Sequence, residues 1–551
     1  MVKSRPTLVA AMTLLAAAHG PAPQPTRATA ARRDAVLATI VNRPLPLREG
    51  IGTAHEVVAT VSPGAQAYYD QGLTYLHSYV WIEAARSFNQ ALSLDGDLAM
   101  AYVGLSYALG ELGMSSQARD ASRRASALAA RTTDRERLRI RVRAKQLEAS
   151  ARPDERRPLT EYEAELDRAV AAYPNDVELL LLRGQAASPT RDAHGMASGS
   201  GSLAYYERAL AQSPEYFAPH HYLTHAYENI GRWDRALEHA AVYASMATRI
   251  PHAHHMHGHV LRRVGRTADA IAEFRRADEL EVAYLEAEQI PAECDWHYHH
   301  NLDLLATTYE YTGQMRLAER PLRQSFELPA AEVAEQLNET AWPMFLLAWG
   351  RMDEAMAASR ALVAREPPLV QAIGHVMVSR LLMHRGEMGP AGSEADAALA
   401  VMRSIGPIGG VVVPELQLTQ GELLFRLGQR ASGRALLHDG ISKLRARSGP
   451  DVWLQTVFSL ERLFQVALDL GDWALAAAVA DEMGELAPAY AGAHYAAGKV
   501  ADHAVDRVHA RQEYAQAIDA WRDADPDLRV LIDARQRLAA LSQARARPLR
   551  H

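Results

Sequence analysis

YLTHAYENIGRWDRA, Tyr222 to Ala236, and MHGHVLRRVGRTADA, Met256 to Ala270, place a glycine and then an alanine at matching positions 34 residues apart. Gly231 and Gly265 suit a tight turn between two antiparallel helices, where the absence of a Cβ relieves the backbone. Ala236 and Ala270, five residues later, suit the point where the second helix crosses the first too closely for a larger side chain. The same two marks run outward along the chain. Tyr79, Gly113, Gly313, Gly350, Gly386, Gly428, Gly471 and Val505 continue the first; Ala84, Ala118, Ala318, Ala355, Ala391, Gly433, Ala476 and Ala510 continue the second. The steps 79 to 113 and 471 to 505 are again 34 residues, and the others are longer, as extended helices or inserted loops require. The pattern predicts an all-α array of antiparallel helix pairs.

Tyr68, Gly72, Tyr75, Trp81, Ala84, Phe88 and Ala91, followed by Tyr102, Gly113, Ala118 and Ala125, resemble two successive tetratricopeptide (TPR) repeats. The resemblance extends over about 63–130 and 203–525. It implies a superhelical solenoid whose concave groove receives a protein or peptide. The expected organisation is a signal peptide at 1–18, a linker at 19–62, N-terminal repeats at 63–130, and an irregular helical segment with a Gly/Ser loop at 131–202. His-rich repeats at 203–328, C-terminal repeats at 329–525 and a final helix and tail at 526–551 complete it.

Composition agrees with helix: 48% hydrophobic and 23% charged residues, with only 8 Phe in 551 positions. Lys3 and Arg5 precede an apolar run from Leu8 to Ala18, the order of a secretory signal, which predicts a periplasmic or secreted protein with no membrane span after its removal. Loss of those two cations takes the net charge from -7 to about -9, which argues against a nucleic-acid surface. Arg135 to Arg143 reads as a solvated helix face. Cys294 is the only cysteine and is expected to be structural. Phosphate-binding and dinucleotide fingerprints are missing, so no nucleotide cofactor is expected.

Twelve of the 23 histidines lie between His220 and His300. His221 and His225 stand ten and six residues before Gly231, and His255 and His259 stand at the same offsets before Gly265. An i, i+4 pair shares one helix face. By the TPR resemblance these offsets point into the groove, implying a square of four imidazoles open to it. His300 and His252 at thirteen before their marks, Asp303 ten before Gly313, and Glu228 three after His225 could add a ligand or orient one. Imidazole ligation suits copper, zinc, iron or nickel. His220, His254, His257, His375 and His494 occupy offsets expected to pack between helices, and His239, on a second helix, is expected to be dispensable. The blocks Pro219 to Glu228, His254 to His259 and Tyr298 to Asn301 resemble a branch of bacterial exported TPR proteins with His-rich successive repeats. The functional expectation is an exported groove-binding TPR protein with a His-lined transition-metal site. A metal-dependent enzyme, oxidative or hydrolytic, is the alternative.

Overall fold

The computed structural model describes residues 27–188, 195–328, 333–446 and 452–543; the signal expected at 1–18 lies outside them. Among the described residues all regular structure is helical. The chain divides into two compact units, one spanning Ala28–Asp295 and the other the residues from Trp296 onward.

The N-terminal unit begins with α1 (Arg27–Ile40) and continues through α2 (Pro63–His77), α3 (Trp81–Leu94), α4 (Ala99–Glu111), α5 (Ser115–Leu128), α6 (Asp134–Ser150) and α7 (Arg156–Ala172). It ends with α8 (Val177–Ala186), α9 (Ser200–Gln212), α10 (Phe217–Asn229), α11 (Trp233–Met246), α12 (Pro251–Arg263) and α13 (Thr267–Glu288). Each turn mark is left-handed: all ten positions have φ between 60° and 83°. The following N–H reaches back to close the turn, as Arg232 does to Tyr227 at 2.8 Å and Arg266 to Leu261 at 2.9 Å, which satisfies carbonyls the helix end would orphan. Glycine accepts this conformation freely. Tyr79 and Val505 hold it at a cost of roughly 1 kcal/mol each. The nine alanines of the second mark are fully buried, and a Cβ on Gly433 would stand 2.8 Å from the Gly421 carbonyl. These hairpins form an all-α array of helical repeats.

Three stretches differ from expectation. Residues 41–62 form an extended strap whose polar backbone is satisfied by the repeats it crosses. The Arg48 N–H donates to Gln71, the Ala59 N–H to Glu136, and the Gly50 carbonyl accepts from the Arg249 N–H. Within 131–202, α6 packs on α7 and α8 on α9 as further hairpins, and the second half of the expected Gly/Ser loop is the first turn of α9, with Ser198 and Ser202 fully buried. The basic face of α6 is solvated only in part: Arg141 is exposed, but Arg139 is buried against Glu56, and Arg143 is buried and donates to Ser106 and Gln146. Carboxylate and carbonyl partners make burial of these guanidinium groups tolerable.

The C-terminal unit repeats the plan. It runs α14 (Trp296–Tyr311), α15 (Met315–Glu327), α16 (Val333–Asn338), α17 (Ala341–Ala348), α18 (Met352–Ala364), α19 (Pro368–His384) and α20 (Met388–Ser404). Then follow α21 (Val413–Arg426), α22 (Arg430–Arg445), α23 (Val452–Asp469), α24 (Trp473–Leu486), α25 (Ala491–His503), α26 (Arg507–Ala520) and α27 (Arg529–Gln543). Its ends meet: the Asp525 N–H donates to the Gly313 carbonyl at 3.0 Å and the Asp525 carboxylate accepts from the Arg316 N–H at 2.8 Å. The N-terminal unit also closes across its interior, since His77 of α2 bonds Tyr222 of α10 at 2.8 Å. Residues facing inward are therefore buried in each unit rather than spread along an open groove.

Candidate metal centre

α10 and α12 are the first helices of adjacent hairpins, and their inward faces carry the histidines. His221 Nε2 lies 3.1 Å from His225 Nε2 and 3.0 Å from His252 Nε2. The three rings are 0%, 7% and 3% exposed, so they form a buried cluster and not the open square expected. The reason is register. His221 meets His252, and Glu228 meets His259, both 31 residues on rather than 34. The neighbouring helix is thus shifted by three residues, about 4.5 Å along its axis, which brings the offset thirteen before Gly265 level with the offset ten before Gly231. His255 and His259 form the next step of the same ladder. The His255 ring centroid is 5.7 Å from those of both His252 and His259.

Hydrogen bonds decide which ring nitrogens are available. His221 Nδ1 stands 2.7 Å from the His77 carbonyl, an acceptor only, so Nδ1 carries the proton and the Nε2 lone pair faces the other two histidines. His259 Nδ1 likewise meets the Glu228 carboxylate, leaving its Nε2 as the donor nitrogen. Such carbonyl and carboxylate partners are what orient ligating imidazoles. His77 is itself held by Tyr222 on Nδ1 and by Glu178 on Nε2 at 3.0 Å. Burial pushes the His221 imidazole down to about 3, the His77 carbonyl opposing only in part, because an imidazolium there would lose its water. His221 is therefore neutral across the physiological range, the form a metal requires.

Three nitrogens at 2.0–2.1 Å from a shared tetrahedral ion stand about 3.3 Å apart. The observed 3.0 and 3.1 Å about His221 need to open by only a few tenths of an ångström. With no ion, the single His221 Nε2 lone pair can accept from His225 or from His252.

One participant was hidden in the sequence. Tyr79 fills a turn position where eight repeats carry glycine, and its ring lies 4.5, 6.0 and 4.9 Å from the rings of His221, His225 and His252. The left-handed backbone at φ 60° aims it there, and a bulky residue in a strained turn was the available signal.

The remaining candidates have partners of their own. Glu228 sits beside the cluster as the acceptor for His259. His300, on α14, stacks on Trp296 at 6.2 Å, and Asp303 accepts from Ser325 and from Asn338 at 2.6 Å; both belong to the C-terminal unit. The packing histidines have a common partner. His254, His375 and His494 each bond a glutamate 19 residues later, Glu273, Glu394 and Glu513, at 2.7, 2.6 and 2.8 Å. This clasps the two helices of a hairpin. In the Gly231 repeat the glutamate is replaced by His239, whose Nδ1 is 2.9 Å from His220 Nδ1 and whose ring stacks on Tyr227. His239 is thus part of the hairpin core. Cys294 is buried, and burial pushes its thiol up to about 11, which suits a structural role.

No family model matches the chain, and none of the curated proteins searched matches it. Among solved structures the chain is similar to YrrB, described as a TPR protein with an unusual peptide-binding site. The identity is 16% and the TM-score 0.27, over 37% of this chain and 95% of that one. A tetratricopeptide repeat protein from Parabacteroides merdae matches at 16% identity and TM-score 0.34, over 51% and 98%. The Cut9–Hcn1 complex of the APC/C matches at 12% and 0.29, over 86% and 96%. No helix among the described residues is long and apolar enough to cross a membrane.

Proposed function

We propose that this is an exported TPR-type repeat protein that engages a protein or peptide partner and carries a transition-metal site formed by His221, His225 and His252. The observation that carries the metal reading is the convergence of three buried Nε2 atoms, with His221 locked in the ligating tautomer by the His77 carbonyl. Three imidazoles without a carboxylate ligand favour copper, zinc, nickel or iron over calcium or magnesium. Export rests on the order of charge and apolar residues at the N-terminus. Partner binding rests on the common use of stacked helical hairpins as recognition surfaces.

A second reading, a metal-dependent enzyme, is favoured by the count of three ligands, which leaves a coordination position for water or substrate. The test is metal analysis of untagged protein after exposure to each ion and removal of excess. One equivalent bound per chain supports the site; an unoccupied protein under all four ions refutes it and leaves partner binding alone.

A further inference from the structure

Four hairpins place a histidine eleven residues before the turn mark and a partner for it nineteen residues later, on the second helix. In three of them that partner is glutamate: Glu273 for His254, Glu394 for His375 and Glu513 for His494. Glutamate suits the task, because a carboxylate accepts from the imidazole N–H, and no oxygen of these three is left buried without a partner. In the α10–α11 hairpin the partner is His239 instead, its Nδ1 2.9 Å from His220 Nδ1.

As a clasp this exchange is a poor one. His239 is more than nine-tenths buried, and its Nε2 has no hydrogen-bond partner; stranding a polar atom in this way costs about 1–3 kcal/mol. Closing the hairpin therefore gives no reason for histidine at 239, where glutamate serves three other repeats. A shared metal ion does give one, because a second neutral imidazole makes the pair a chelate for borderline transition metals.

The geometry fits such an ion. Two nitrogens bound at 2.0–2.1 Å stand about 2.9–3.3 Å apart, the shorter separation belonging to the right angle of square or octahedral coordination. The observed 2.9 Å lies at that end. The two rings are tilted by 49°, with centroids 5.0 Å apart, so they converge edge to edge instead of stacking. Tyr227 lies flat on His239, 2° from parallel and 5.6 Å away, and fixes that ring. Burial pushes the His239 imidazole down to about 4, with His220 and Arg235 adding to the effect. The Arg235 charge is itself matched by Glu238. His220 is only half-buried; from its side an ion can enter and complete its shell with water.

We infer that His220 and His239 form a second metal site, a two-histidine chelate for a divalent transition metal, strongest for copper(II). The site shares no ligand with the proposed set of His221, His225 and His252 and does not depend on it. With two protein ligands and an open side it holds its ion more weakly than three buried imidazoles would, so its ion leaves with the excess when loaded protein is washed.

The test is calorimetric titration of copper(II) chloride into untagged full-length protein that has been loaded with copper and washed, as wild type, His239→Gln, His220→Gln and His494→Gln. Glutamine keeps a hydrogen-bonding side chain at the clasp but is a poor ligand for copper. Wild type and His494→Gln are expected to take up one further equivalent, with two imidazole nitrogens in the electron paramagnetic resonance spectrum of the added copper. His239→Gln and His220→Gln should weaken this uptake about tenfold or more, since even groups that only orient a ligand are worth that much, with circular dichroism unchanged. Should His239→Gln misfold, His220→Gln at the half-buried position decides. The uptake seen in protein that retained no copper on washing supports this site and counts against the three-histidine one. No further uptake by wild type, full affinity in a folded His220→Gln or His239→Gln variant, or an equal loss in His494→Gln overturns the inference.

Discussion

In the N-terminal unit the inward faces of α10 and α12 carry imidazoles within hydrogen-bond distance of one another. The interior of the C-terminal unit carries charged groups. Arg380, 1% exposed, donates to Thr419 and Glu415; Glu422 accepts from Arg426 and Arg462; Glu461 accepts from Tyr490. Both units are built from the same hairpin, with the same left-handed turn and the same buried small residue at the crossing. The difference shows that the scaffold is specified by two positions per repeat, and the chemistry by others. Both units match buried acids to bases, as in Arg139 with Glu56 and Arg380 with Glu415. In the N-terminal unit, in addition, His225 Nε2 and His252 Nε2 both stand within 3.1 Å of His221 Nε2, the geometry on which the proposed metal site rests.

The largest expected effect should sharpen this contrast. His221→Ala removes a fully buried ring and strands the His77 carbonyl, so the metal-free protein should lose about 2–4 kcal/mol of stability in chemical denaturation. His375→Ala, which breaks a partly exposed clasp with Glu394 in the C-terminal unit, should cost about 1 kcal/mol or less and leave metal content unchanged. Equal losses would mean that the cluster is no more tightly built than an ordinary helix clasp.

At the crossings the two units should behave alike. Ala270→Leu and Ala476→Leu each force a larger side chain into a fully buried contact, and each should cost about 1–3 kcal/mol. A unit that accepts leucine without loss would break the common-scaffold account.

The two non-glycine turns should then part company. Val505 is 70% exposed, so Val505→Gly should relieve the left-handed strain and gain up to about 1 kcal/mol. Tyr79→Gly relieves the same strain but removes the ring that covers three histidines, and should be destabilising in net.

The smallest expectation is a slope with pH. Burial pushes Glu461 up from 4.5 to about 7. The folded chain keeps a proton that the unfolded chain releases over that interval, so this residue makes stability fall as pH rises from about 4.5 to 7 and then level off. His221, lowered from 6.5 to about 3, acts in the opposite sense in metal-free protein: the unfolded chain binds the extra proton, and stability falls as pH drops through that window. Denaturation of Glu461→Gln and His221→Ala across pH 4–8 should remove the two contributions separately.

The turn glycines and crossing alanines were legible because each answers a local backbone demand, and every mark holds in the structure. His221 and His225 were legible for the same reason, as neighbours on one helix. The partner across the helix interface was not, because the stagger between α10 and α12 is set by packing and never appears in a repeat length. A shift of three residues exchanged His255 for His252. The strap at 41–62 was missed because its order comes from side chains of distant repeats accepting its N–H groups, which its own composition does not reveal. Arg139 misled in the opposite way: a basic run reads as surface unless the acids that bury it, here Glu56 and Glu178, are known to be near.

The central claim, that His221, His225 and His252 hold one transition-metal ion, is tested most directly by comparing His252→Ala with His255→Ala in untagged full-length protein by elemental analysis after metal loading. The account predicts one equivalent of metal in the wild type and in His255→Ala, and none in His252→Ala, with helix content unchanged in all three. Metal retained by His252→Ala and lost from His255→Ala, or no metal in the wild type, would contradict it.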